Sequence, residues 1–274
     1  MFIKKLNRIF NIDSPWVAWF FWLALFILGS TISSTLLSSF YPLSFVKDTY
    51  VNAKTYGQNW DYILQIVMDS TVIIGFLILS FYKRQKNYFF IWKNCFLNNI
   101  LAWGIILFYS MINVDEILKN GFSFLIMVTA LVIAIAEEMA YRGQILIQSI
   151  RWTKSKKPYL FGLFLSSFLF AVSHLVNLSS QPIKATIIQV ITTFSVGLIL
   201  GVIYLTSGNF FFPVMIHFLI DFSAFTQTNS MNSTNNSFLP CIVMLLIATT
   251  ILGVQTHFRK LYFLEDFLFL RRQK

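Results

Sequence analysis

Eight apolar stretches recur along the whole of this 274-residue chain, at roughly 16–37, 60–82, 96–114, 121–150, 159–177, 184–206, 210–226 and 239–256. Each is close to the ~20 residues that a helix needs to cross a hydrocarbon core. Inside lipid every backbone N–H and C=O must find its partner within the protein, so apolar runs of this length cross as helices. Hydrophobic residues make up 57% of the chain, charged residues 12%, and mean hydropathy is +0.68, a balance that a domain with a water-facing polar surface does not hold. The expected fold is all-α: one polytopic transmembrane helical bundle of about eight spans over residues 1–274.

The first run, from Trp16 through Ser30 into Leu37, is longer than a signal-peptide core and shows no small-residue cleavage site after it, so it is expected to be a retained span. Cys95 and Cys241 lie far apart without CxxC or metal-type spacing and read as ordinary residues of the lipid zone. The net charge of +10 maps topology rather than a nucleic-acid partner. Lys4, Lys5 and Arg8 precede the first span, Lys83, Arg84, Lys86 and Lys93 follow the second, Arg151, Lys154, Lys156 and Lys157 follow the fourth, and Arg259, Lys260, Arg271, Arg272 and Lys274 follow the eighth. Apart from the weakly marked sixth, every second boundary is basic, which by the positive-inside rule predicts a multi-pass cell-membrane protein with both termini in the cytoplasm. The loop with Asp115, Glu116 and Lys119 and the uncharged stretch Thr226–Ser237 then fall outside. Met1–Phe10 and Leu261–Leu270 have the mixed apolar and charged character of helices lying in the interface.

Within this apolar background two of the chain's four glutamates, Glu137 and Glu138, stand side by side in the fourth run. Each carboxylate placed mid-bilayer costs roughly 2.5–3.5 kcal/mol on insertion scales, so the pair needs a partner or a task. Arg142 follows Glu138 at the four-residue spacing that shares a helix face, and a structural salt bridge is the favoured reading of that pair. Glu137 points about 100° away, with no basic residue three or four positions from it, and reads as a functional carboxylate. His174 lies in the fifth run. His217 and Asp221, again four apart, lie in the seventh. Three helices can therefore converge polar groups on one cavity between the fourth, fifth and seventh spans. Asp69, Asn98 and Asn99 have no comparable constellation and are expected to serve helix–helix hydrogen bonding or cavity lining.

Such a set suits water activation: a carboxylate in low-dielectric surroundings as general base, with imidazoles orienting the water or donating to a developing oxyanion. Alternatively Glu137, His174 and His217 make a competent set for a divalent metal such as zinc. The residues leave both designs open, with no other cofactor indicated. HExxH, GxSxG and GxGD contexts are absent, which excludes the corresponding zincin, serine-hydrolase and intramembrane aspartyl designs.

Glu137-Glu138-Met-Ala-Tyr-Arg142 resembles an EExxxR motif, Phe170-Ala-Val-Ser-His174 an FxxxH motif and His217-Phe-Leu-Ile-Asp221 an HxxxN/D motif. Together, in this order and on three spans, they resemble the CPBP family of CAAX-prenyl-endopeptidase-like and bacteriocin-processing intramembrane proteases, also called the Abi family. The resemblance covers about Phe124–Phe222, within a motif-bearing core at 121–226. It implies that Glu137 activates water with help from His174, that His217 and Asp221 stabilise the oxyanion, and that Glu138 and Arg142 hold the site together. Asp221 stands where Asn is commoner in the family and, as a carboxylate, donates no hydrogen bond.

The expected activity is hydrolysis of a peptide bond in a small or lipid-associated peptide within or near the membrane. Phe-, Ile-, Asn- and Lys-rich usage resembles a low-GC bacterium and points within the family to bacteriocin self-immunity or peptide maturation. Two other classes fit the same residues: a non-catalytic scaffold or immunity protein that binds a partner protein, and a proton-coupled transporter, although the paired interrupted spans of the latter are missing. His217 poses a problem of depth, lying only some seven residues past the start of its span. Either the Ser207–Pro213 turn is recessed into the bundle, or the fourth and fifth spans are tilted.

Overall fold

In the computed structural model the described residues are 14–40, 53–83, 99–231 and 238–257, and they are helical throughout, joined by short turns. Nine α-helices are found among them: α1 (Pro15–Phe40), α2 (Ala53–Lys83), α3 (Ile100–Asn120), α4 (Phe124–Glu138), α5 (Ile147–Trp152), α6 (Pro158–Ser173), α7 (Ile183–Ser207), α8 (Phe211–Thr228) and α9 (Leu239–His257). A π-helical segment, Met139–Leu146, joins α4 to α5 so that the fourth rod runs unbroken, and a 3-10 segment, His174–Ser179, extends α6. The helical rods fall at the eight predicted positions. Those over Pro15–Ser33, Asp61–Ile78, Ile100–Asn120, Phe124–Trp152, Pro158–Ser179 and Ile183–Ser207 are long and apolar enough to cross a membrane. The seventh and eighth are less so, α9 having its apolar stretch at Ile242–Val254.

Local chemistry sets the boundaries. Ser123 caps α4, its hydroxyl accepting from the Ile126 N–H, and Pro158 opens α6 at the position where a missing N–H costs nothing. The third helix runs later than the predicted 96–114 because Asn99, read from sequence as a helix–helix or cavity residue, instead caps it by accepting from the Ala102 N–H at 3.1 Å. The expected outer loop of Asp115, Glu116 and Lys119 is in fact its last turn, where Lys119 pairs with Asp115 and Asn120 donates to the buried Glu116 at 2.9 Å. The expected interfacial ends Met1–Phe10 and Leu261–Leu270, the basic stretch from Arg84 to Lys93, Cys95 and Asn98 lie outside the described residues.

The fourth rod is packed between α2 and α8, and α7 lies against α6, α8 and α9. Gly197 and Gly201 set the closeness of α6 to α7. A Cβ at Gly197 would come 3.0 Å from the Ser167 Cβ, and one at Gly201 would come 2.4 Å from a Leu163 methyl, so the backbones approach as they do at small-residue interfaces in membranes. The first helix joins the core through Trp22, which stacks on Phe76 at 5.2 Å and donates its indole N–H to Gln144 in the π segment at 2.8 Å.

The turn before α8 is enclosed by protein. Ser207, Asn209, Phe210 and Phe212 are all buried, so the turn is recessed into the bundle. Its polar groups are satisfied there: the Asn209 N–H donates to the Ser207 hydroxyl at 3.1 Å and the Phe211 N–H donates to the Asn209 side chain at 2.9 Å.

Candidate active site

Glu138 is the most enclosed member of the polar set, with none of its side chain accessible. Its Oε1 forms an ion pair with Arg142 Nη1 at 2.9 Å and meets His217 Nδ1 at 2.8 Å. The four-residue spacing expected to join Glu138 and Arg142 does so, although the turn that carries Arg142 is π-helical. Such i→i+5 turns are rare and recur at functional sites.

Arg142 binds this turn to two other helices. Its Nη2 donates to the Gly197 carbonyl on α7 at 3.3 Å, and its guanidinium lies 4.6 Å from the centroid of the Phe170 ring on α6. A buried guanidinium is tolerable because it meets a carboxylate, a carbonyl and a π face together.

His217 carries the connection outward from Glu138. Its Nε2 lies 3.6 Å from Glu137 Oε2 and 3.4 Å from Asp221 Oδ2. A carboxylate accepts, so Nδ1 donates to Glu138, and Nε2 is turned toward the other two carboxylates. Accessibility divides the cluster: about a fifth of the Glu137 and Asp221 side chains is exposed, against 6% of His217, 1% of Arg142 and none of Glu138. The two carboxylates that keep accessible surface are therefore Glu137 and Asp221.

His174 occupies the junction where α6 tightens into its 3-10 extension. Its Nδ1 lies 2.9 Å from the Phe170 carbonyl. A carbonyl accepts only, which places the ring proton on Nδ1 and leaves Nε2 as an acceptor. The Phe170 ring meets His174 at 5.1 Å and His217 at 5.7 Å, both edge-on, so one aromatic side chain orients both imidazoles. Glu137 is paired with His217 rather than His174. The charges of Asp221 and His217 reach His174.

Several contributors carry no sequence signal of their own. Tyr141, tilted against Phe170 at 4.7 Å, shares a 2.5 Å hydrogen bond with Ser173, to which Trp19 of α1 also donates at 3.1 Å. The first helix, without a motif, thus supports the site. Asp69 of α2 is fully buried, accepts from Gln65 at 2.8 Å, and lies within electrostatic reach of Glu137 and Asp221. Its position beside α4 could not be read from spacing within its own helix.

The metal set considered from sequence, Glu137, His174 and His217, is not arranged as one. Among the described residues no group of three or more His, Cys, Asp or Glu side chains is placed to hold a metal ion.

Residues 119–223 match the family model described as Rce1-like, type II CAAX prenyl endopeptidase Rce1-like. No curated protein and no solved structure matches the chain.

Proposed function

We propose that the chain, whose residues 119–223 match the Rce1-like family of type II CAAX prenyl endopeptidases, is an intramembrane endopeptidase using water activated by Glu137. The observation that supports this most directly is the partly exposed Glu137 carboxylate 3.6 Å from an imidazole that Glu138 locks from behind.

In this reading Glu137 removes a proton from a water molecule whose other hydrogen is accepted by His174 Nε2. The water oxygen bonds to the peptide carbonyl carbon, and the carbonyl oxygen, now negative, accepts from His217 Nε2–H. The C–N bond then breaks, and Glu137 returns its proton to the leaving amine. Asp221 holds His217 in register rather than donating to the oxyanion. The substrate is a small peptide or a lipidated peptide drawn from the bilayer, and bacteriocin self-immunity or peptide maturation is the proposed setting.

Purified protein in liposomes, supplied with a prenylated peptide and with a small unmodified hydrophobic peptide, tests the reading. Cleavage is expected for the parent and lost in Glu137→Ala and His174→Ala. Cellular function that survives Glu137→Ala would instead identify a scaffold.

A further inference from the structure

Hydrolysis inside a bilayer consumes water, and the structure holds a second polar space apart from the Glu–His cluster. A cavity of about 380 Å³ lies between the second half of α1, the first half of α2 and the residues that follow the 3-10 segment and α8. Ser33, Asp61, Tyr62, Gln65, Met68 and Asn229 are among its walls. Its volume has room for on the order of ten waters at roughly 30 Å³ each.

Two buried polar atoms find no hydrogen-bond partner among the described residues: the hydroxyl of Tyr62, in the wall of this space, and Oδ1 of Asp69, behind Gln65. Buried polar groups are nearly always satisfied by protein or by ordered water, so both point to a hydrated neighbourhood. Gln65 joins the two regions, lining the cavity while its amide donates to Asp69 Oδ2 at 2.8 Å. Asp69 is in turn within electrostatic reach of Glu137 and Asp221, and α2 packs directly on α4.

We propose that this cavity is the water inlet of the site, and that Gln65 and Asp69 form the polar step by which water passes from it to Glu137. The inlet rests on the endopeptidase reading, since water is the second substrate of that reaction. Asp69 acts as a positioning residue: Oδ2 is held by Gln65, and Oδ1 is turned to the passing water. The exposed carboxylate of Asp61 at the wall keeps the cavity wet.

Accessibility to a water-soluble reagent tests this without any substrate. In a Cys95→Ser, Cys241→Ser background, single cysteines at Gln65, Asp69 and Ile74 are reacted in vesicles with a cationic methanethiosulfonate. Ile74, 56% exposed on the outside of the bundle, serves as the lipid-facing control. Thiolates form in water, so Gln65→Cys and Asp69→Cys are expected to react at least about tenfold faster than Ile74→Cys. The Asp69→Cys rate is expected to fall by about the same factor when Ser30→Trp fills the cavity wall. Rates at Asp69→Cys equal to those at Ile74→Cys, or unchanged by Ser30→Trp, overturn the inlet. In the active enzyme, Gln65→Leu is expected to lower kcat several-fold with KM unchanged, and an unchanged kcat counts against the inlet. Labelling reads water access alone, so an inactive parent would sink the endopeptidase reading and leave the inlet to be judged on the labelling.

Discussion

Glu138 Oε1 meets His217 Nδ1 at 2.8 Å, joining two side chains 79 positions apart in sequence, and at the same time it pairs with Arg142 at 2.9 Å. One fully enclosed carboxylate therefore ties together the bundle and the orientation of the imidazole that faces Glu137. Adjacent glutamates on consecutive helix positions are placed differently, Glu138 fully enclosed in this network and Glu137 with about a fifth of its side chain exposed.

Glu137→Gln removes the base but keeps the shape. Loss of general-base catalysis costs about 10²–10⁴-fold, so kcat is expected to fall by that factor while the thermal unfolding midpoint stays near the parent's. A variant retaining parental kcat rules out Glu137 as the base.

Glu138→Ala leaves Arg142 buried without its carboxylate. Breaking a buried ion pair from one side costs about 3–5 kcal/mol, so both stability and activity are expected to drop. Thermal unfolding in detergent is the measurement, and a midpoint equal to the parent's contradicts the bracing role.

Glu138 and His217 are expected to be energetically coupled. A double-mutant cycle with Glu138→Gln and His217→Gln, read on kcat/KM, is expected to give an interaction energy of about 0.5–3 kcal/mol. Additive effects would show that the 2.8 Å contact does not organise catalysis.

Gly197→Val forces apart α6 and α7, because a Cβ there already meets the Ser167 Cβ at 3.0 Å, and it displaces the carbonyl that receives Arg142. Overpacking of this kind costs about 1–3 kcal/mol. Ser167→Gly is expected to restore part of the loss of melting temperature; the absence of any recovery would mean the close approach is not what the glycine permits.

The resemblance to a protease family was legible in the chain, since three short motifs on three apolar runs needed nothing beyond local spacing. Local spacing also foretold the Glu138–Arg142 pair and the shared face of His217 and Asp221, because both contacts lie within one helical turn. The partner of Glu137 was not legible. The structure brings His217, on a different helix, to 3.6 Å from it.

That difference follows from how each kind of information is carried. Apolar run length, charge placement and i, i+4 pairs determined an all-α membrane bundle with an asymmetric glutamate pair, because these are properties of single helices. The recessed Ser207–Pro213 turn, the Phe170 ring shared by two histidines, the Trp19–Ser173–Tyr141 link and the approach of Asp69 to Glu137 were decided only by tertiary packing. Each depends on the depth and rotation of one helix relative to another, and these are set by the small residues and buried hydrogen bonds at helix contacts, whose pairing leaves no periodic trace along the chain.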